Sequence, residues 1–207
     1  MGEPSAGQVL SATMTVWLPG TPPEHVHEYL CNQHRRGEWD TFINTGAVQE
    51  LSSVITCPHL PGNVVSVLHP SDVADQTNSN MMILQEATSD VSCSLVVYSF
   101  IETNLIHAVM DGGENTSVFL LPSGFAILPD GHGKVHHDAA TAAASSSGAP
   151  NGHKGAAGSL LTAAYQALLP DNPSDIAVGT FDNAENRVYN AVKQTMAAVG
   201  ADRAIPA

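Results

Sequence analysis

Residues 178–199, VGTFDNAENRVYNAVKQTMAAV, decide the fold. Phe181, Ala184, Val188, Val192, Met196 and Val199 recur at intervals of three and four, so they share one face of an α-helix. Asp182 and Glu185 stand near its start and Lys193 later, signs that match the helix dipole. The segment predicts an amphipathic helix of about six turns. Such a stripe needs an apolar surface to lie on, and the preceding chain supplies a series of short aliphatic runs.

From Ser159 to Leu169, the residues Leu161, Ala163, Tyr165, Ala167 and Leu169 alternate with more polar partners, the period of a final strand before the break at Pro170 to Pro173. Further upstream, runs rich in Val, Ile, Leu and Met at 47–56, 63–69, 80–87, 93–101, 105–110, 117–121 and 124–128 read as about seven strands of an antiparallel sheet. Their punctuation is Pro61-Gly62, Ser89-Asp90, Asp111-Gly112-Gly113 and Pro122-Ser123-Gly124. Val9 to Leu18 alternates as a first strand, and Thr21-Pro22-Pro23-Glu24 combines a capping box with an N-terminal proline. A helix is therefore expected from Thr21 to about Arg36, where Gly37 interrupts it. This order is that of an α+β helix-grip fold, a curved antiparallel sheet wrapped around a long C-terminal helix. Residues 8–200 read as one domain, 1–7 and 201–207 as tails, and 131–157 as a flexible insertion of Ala, Ser, Gly and His without apolar periodicity.

Charge narrows the function classes. Twenty acidic residues against seven basic ones leave a formal charge of -13, which repels polyanions. Apart from Arg35-Arg36 the cations are scattered, so direct nucleic-acid contact by this domain is not expected, nor is binding to acidic membranes. Cys31, Cys57 and Cys93 have no metal-ligand or disulfide-framework spacing and read as thiols of an intracellular protein. The start MGEPSAGQVL lacks a basic and an apolar signal region, and no apolar run reaches about 18 residues. A soluble protein is expected, with Asn115-Thr116-Ser117 an incidental match to the glycosylation pattern.

Several short stretches carry a resemblance. Val16-Trp17-Leu18-Pro19 and Arg36-Gly37-Glu38-Trp39-Asp40 resemble the opening of START-type domains. Residues 80–86 (NMMILQE), Leu95-Val96-Val97-Tyr98, 120–131 (LLPSGFAILPDG) and 158–162 (GSLLT) resemble, in order, the START-associated C-terminal region of plant class IV homeodomain-leucine zipper proteins. The likeness covers roughly residues 7 to 200. It implies a START-like (Bet v 1-like) fold, and a homeodomain and zipper upstream, so that Met1-Gly2 marks a fragment boundary and DNA binding belongs to the parent protein.

Candidate chemistry is sparse. His25 and His27, two apart on a helix, point in different directions and cannot share an ion, while His132, His136, His137 and Asp138 fall in the insertion and read as solvated loop. Ser123 lacks a nucleophile-elbow pattern. Cys31, near Arg35-Arg36, reads as a packed thiol in preference to an activated one. Arg36 and Asp40 are expected to pair across the turn as an exposed pair worth about 0–1 kcal/mol. Glu86 is expected to face solvent, the alternative being a buried partner such as Arg36 or His69. No catalytic residue, metal or cofactor is assigned.

The leading expectation is a non-catalytic regulatory and protein-interaction domain of a nuclear transcription factor, which by family likeness acts in epidermal cell differentiation. Its expected partners are other transcription regulators, the upstream START domain, or a second copy in a homodimer. The alternative is a sensor for a hydrophobic small molecule such as a lipid or sterol, held in a cavity lined by Met14, Trp39, Met82, Leu84, Val97, Phe125 and Tyr165. Trp39 reads first as a core plug and second as a cavity wall.

Overall fold

Alternation along β1 (Gln8–Leu18) is visible as burial: Ala12, Met14, Val16 and Leu18 turn inward while Ser11, Thr13, Thr15 and Trp17 stay exposed. The computed structural model describes residues 8–43, 48–60, 62–70, 80–113, 120–132, 157–177 and 179–201. Six further strands follow: β2 (Val48–Ile55), β3 (Val64–Pro70), β4 (Met81–Ser89), β5 (Ser94–Glu102), β6 (Ser123–Pro129) and β7 (Ser159–Leu169). They form one sheet in the order β1-β7-β6-β5-β4-β3-β2, with every neighbouring pair antiparallel. β1 and β7 pair along their whole length, from Gln8 opposite Leu169 to Leu18 opposite Ser159.

The C-terminal helix, α4 (Thr180–Ala198), packs on β1 and β7. Its inward face is Ala184, Val188, Ala191, Val192, Thr195 and Met196, whereas Phe181, expected on that face, is 53% exposed. Thr195 is buried without penalty because its hydroxyl donates to the Ala191 carbonyl one turn back, at 2.8 Å. The apolar residues join Leu18, Val96, Phe125, Ile127, Leu161 and Ala163 of the sheet in the main core. Each such aliphatic or aromatic side chain contributes about 1.5–3 kcal/mol when fully removed from water. Sheet plus terminal helix is the START-like helix-grip α+β architecture expected from the sequence.

Three local expectations are corrected. The first helix, α1 (Pro23–Cys31), begins two residues after Thr21, which makes no capping bond. Pro23 disfavours helical geometry at the residue before it, and Pro22 is accordingly extended at φ -62°, ψ 146°. The helix also stops at Cys31 rather than running to Arg36. Asn32 leaves helical geometry and its side-chain oxygen accepts from the His34 N–H at 3.0 Å, starting a 3-10 turn over Gln33–Arg35. A second short helix, α2 (Arg36–Trp39), then contains Gly37 instead of ending at it.

The third correction concerns 105–110, expected as a strand but folded as part of α3 (Thr103–Met110). Asp111-Gly112-Gly113 is its C-terminal stop: Gly112 takes φ 82°, and the Gly113 N–H bonds the Ala108 carbonyl at 2.8 Å. α3 covers the outer side of β4 and β5, where Ile106 packs with Met82 and Ile101. Of the run 117–121, residues 117–119 lie outside the described residues, while Leu120 and Leu121 are not in a strand. Most of the expected insertion 131–157, with His136, His137 and Asp138, lies outside them too, as do both tails apart from Ala201.

Candidate functional site

The short helix α2 aims Arg36 and Trp39 under α4, against the inner face of the sheet. Arg36 and Asp40 pair at 3.0 Å with both side chains only 2% exposed, so the pair expected at the surface is a core element. The exposed pair of this segment is instead Arg35 with Glu38, at 3.1 Å. A second Arg36 nitrogen donates to the Gln85 carbonyl oxygen on β4. The guanidinium carbon lies 4.8 Å from the Trp39 ring centroid and 4.4 Å from that of Tyr98. Asp40 spends its other oxygen on the Phe42 N–H at 3.1 Å. Arg36 Nη2 and Trp39 Nε1 have no acceptor among the described residues. Glu86 is exposed, as expected, one residue away from the Gln85 that Arg36 uses.

Trp39 is 1% exposed and meets Phe125 edge-on at 5.0 Å. Beside them, under α4, is a space of about 20 Å³ bounded by Trp39, Phe125, Tyr98 and Val188. That is room for about one water. Burial pushes the Tyr98 hydroxyl far above its ordinary range, with the nearby Asp40 charge adding to the effect, so it stays protonated.

Of the seven residues proposed to line a cavity, Met14, Trp39, Phe125 and Tyr165 share the inner face with α4. Met82 and Leu84 lie on the opposite face in the cluster around Ile106, and Val97 has the same parity on β5 as Ile101 of that cluster. The inner positions of these strands are Ile83, Gln85, Val96, Tyr98 and Phe100.

Towards the far end of β5, a recess of about 200 Å³ is lined by Phe42, Tyr98, Phe100, Ser123, Tyr165 and Gln166 among others. Phe42 and Phe100 are 4.7 Å apart between centroids, and Phe42 and Tyr165 are 6.1 Å apart. Arg187 of α4 stands over this group, 3.5 Å from the Phe42 centroid and 5.5 Å from that of Tyr165. Sequence reasoning passed over Phe42, Phe100 and Arg187. A signal existed for the last: it follows Ala184 by three positions, on the flank of the helix's apolar stripe.

On α1, Cys31 Sγ lies 3.4 Å from His27 Nε2. Burial pushes the thiol up to about 12, only partly offset by Arg36, so it is the packed thiol and not an activated nucleophile. Burial also lowers His27 below its ordinary value, against the opposing effects of Glu28 and a backbone bond at Leu95. No cluster of three or more metal-ligating side chains occurs among the described residues.

The LLPSGFAILPDG run serves the sheet. Gly124, opposite Val97 in the β5–β6 pair, sits so close to β5 that a Cβ would meet the Val96 carbonyl oxygen and lie 2.8 Å from Val97 Cα. Asp130 accepts from Trp17 Nε1 at 3.1 Å and from the His132 N–H at 2.9 Å, and its own N–H donates to Gly158 at 3.0 Å. Those bonds, the His132 amide foremost, hold its carboxyl below the ordinary range. It ties the two ends of the 131–158 connection to β1.

A family model described as PDF2-like, C-terminal domain, matches residues 1–201. The chain belongs to that family. This PDF2-like C-terminal domain is 41% identical over 207 residues to the rice homeobox-leucine zipper protein ROC6, covering 97% of this chain and 23% of the relative. Arabidopsis homeobox-leucine zipper protein ANTHOCYANINLESS 2 is 38% identical over 199 residues, covering 96% and 23%. Arabidopsis HDG11 is 34% identical over 198 residues, covering 95% and 26%. The PDF2-like domain thus spans about a quarter of the length of the curated relatives it matches. The LLPSGFAILPDG run, which carries the family likeness, holds both the close β5–β6 pairing at Gly124 and the loop anchor Asp130.

Proposed function

We propose that this domain is a non-catalytic regulatory and protein-interaction module of a nuclear homeodomain-leucine zipper transcription factor. The observation that carries this reading is the filled interior. Under the middle of α4, Trp39, Tyr98 and Phe125 close around the Arg36–Asp40 pair and leave about 20 Å³, while the cleft of about 440 Å³ between β1 and α4 has the exposed Ser11, Thr13, Phe181, Glu185 and Tyr189 in its walls. A buried lipid or sterol requires several hundred cubic ångströms. A filled centre favours work through the surface, and the outer face offers apolar contact there. Trp17, Leu160 and Leu128 lie side by side across β1, β7 and β6, at 53%, 39% and 42% exposure.

The partners in this reading are the upstream START domain of the same polypeptide, other transcription regulators, or a second copy brought close by the zipper. Epidermal differentiation is the biological setting that the family suggests. No described helix is long and apolar enough to cross a membrane.

The test separates DNA contact from regulation. At physiological salt the isolated chain is expected not to retard a duplex carrying the parent factor's site, because its formal charge is -13. Deleting it from the full-length factor is expected to leave site binding intact and to change reporter output. Sequence-specific binding by the isolated chain, or unchanged output after deletion, would sink the reading.

A further inference from the structure

We propose that the recess beside Tyr98 and Tyr165 binds a small organic carboxylate, an aromatic ring bearing a short acid tail, with the carboxylate on Arg187. This goes beyond the interaction module: a domain can regulate through its outer face with or without such a ligand.

Three observations converge. The recess of about 200 Å³ is walled by the rings of Phe42, Tyr98, Phe100 and Tyr165. In a chain with only 5% aromatic residues, four of them gather around one opening. The volume falls short of a lipid's needs and suits a single ring.

Arg187 supplies the charge. It lines the adjoining 20 Å³ space, which shares Phe42, Tyr98 and Tyr165 with the recess. Its guanidinium carbon lies 3.5 Å from the Phe42 ring centroid, a cation–π contact. Of its five donors, one reaches Thr41 Oγ1 at 3.2 Å. Among the described residues, no carboxylate forms an ion pair with Arg187, although the chain has 20 acidic residues for 7 basic ones. Asp40, which lines the same small space, is already committed to Arg36 and the Phe42 amide.

Among the described residues, the recess itself is lined by no Lys, Arg, His, Asp or Glu. Ser99 Oγ donates to the Leu121 carbonyl, whereas Ser123 Oγ accepts from the Gln166 N–H and keeps its own proton to donate. Arg187 is the one cation among the described residues lining the recess and the adjoining space, and its planar fork fits a carboxylate in two parallel bonds.

The experiment compares phenylacetate with 2-phenylethanol, which has the same ring but no charge, on the 207-residue chain by saturation-transfer NMR. Phenylacetate is expected to bind in the millimolar range or tighter and at least about tenfold more tightly than the alcohol, through charge-assisted hydrogen bonds. Arg187→Gln is expected to bring the acid down to the level of the alcohol, and Arg187→Lys to retain part of the difference. Equal binding of acid and alcohol to the unaltered chain overturns the proposal whether or not the variants fold. So does an absence of phenylacetate binding at millimolar concentration, or undiminished binding by a folded Arg187→Gln chain.

Discussion

Removing the Asp40 carboxylate would leave the Arg36 guanidinium charged, buried and without its counter-ion. Breaking such a pair from one side costs about 3–5 kcal/mol, against about 0–1 kcal/mol for an exposed pair. Asp40→Ala is therefore expected to lower the urea midpoint by that free energy divided by an unchanged slope, and Arg36→Met with Asp40→Leu to lose less than Asp40→Ala alone. His27 makes a separate prediction with a defined sign. Burial lowers its folded-state pKa below 6.5, so above that pH both states are neutral and stability is whole. As pH falls through 6.5 the unfolded chain takes up a proton that the folded one resists, and stability declines. Melting temperature should fall between pH 7 and 5.5, and His27→Gln should flatten part of that slope. That Arg36 and Asp40 pair was legible from their spacing of four. That they pair in the core was not, because burial depends on α4 and β4 arriving from elsewhere in the chain.

At the scale of elements, the β5–β6 pairing depends on the missing side chain of Gly124. An added Cβ would run into the Val96 carbonyl and Val97 Cα, both backbone atoms with no rotamer to retreat into. Gly124→Ala should destabilise by about 1–3 kcal/mol or more, visible as a lower melting temperature. Seven strands and the terminal helix were legible because each carries its period over many residues. α3 was missed because a run of six apolar-rich residues has the same appearance in a strand and in a buried helix. The stop signal Asp111-Gly112-Gly113 was present but read as a turn. That one misreading explains the misplaced cavity residues: α3 covers the outer face of β4 and β5, so both faces are apolar and alternation no longer tells Met82 from Ile83 or Val97 from Val96.

For the molecule as a whole, α4 closes the inner face, and without it Leu161, Ala163, Met14 and Phe125 would meet water. A chain ended at Gly179 is expected to lose near-UV circular dichroism and to bind a hydrophobic dye, keeping part of its far-UV signal. The full chain should show the reverse. The sequence by itself determined the strand and helix periods, the antiparallel α+β class, the acidic surface and the family, since all of these are written in local pattern, composition or motif. Only the tertiary structure decided that the Arg36–Asp40 pair is buried, which face of β4 and β5 looks inward, and that Arg187 meets the rings of Phe42 and Tyr165. Those facts require residues of different elements, distant along the chain, to be brought into contact, and such contacts follow from how the sheet and helix pack, which no local period encodes.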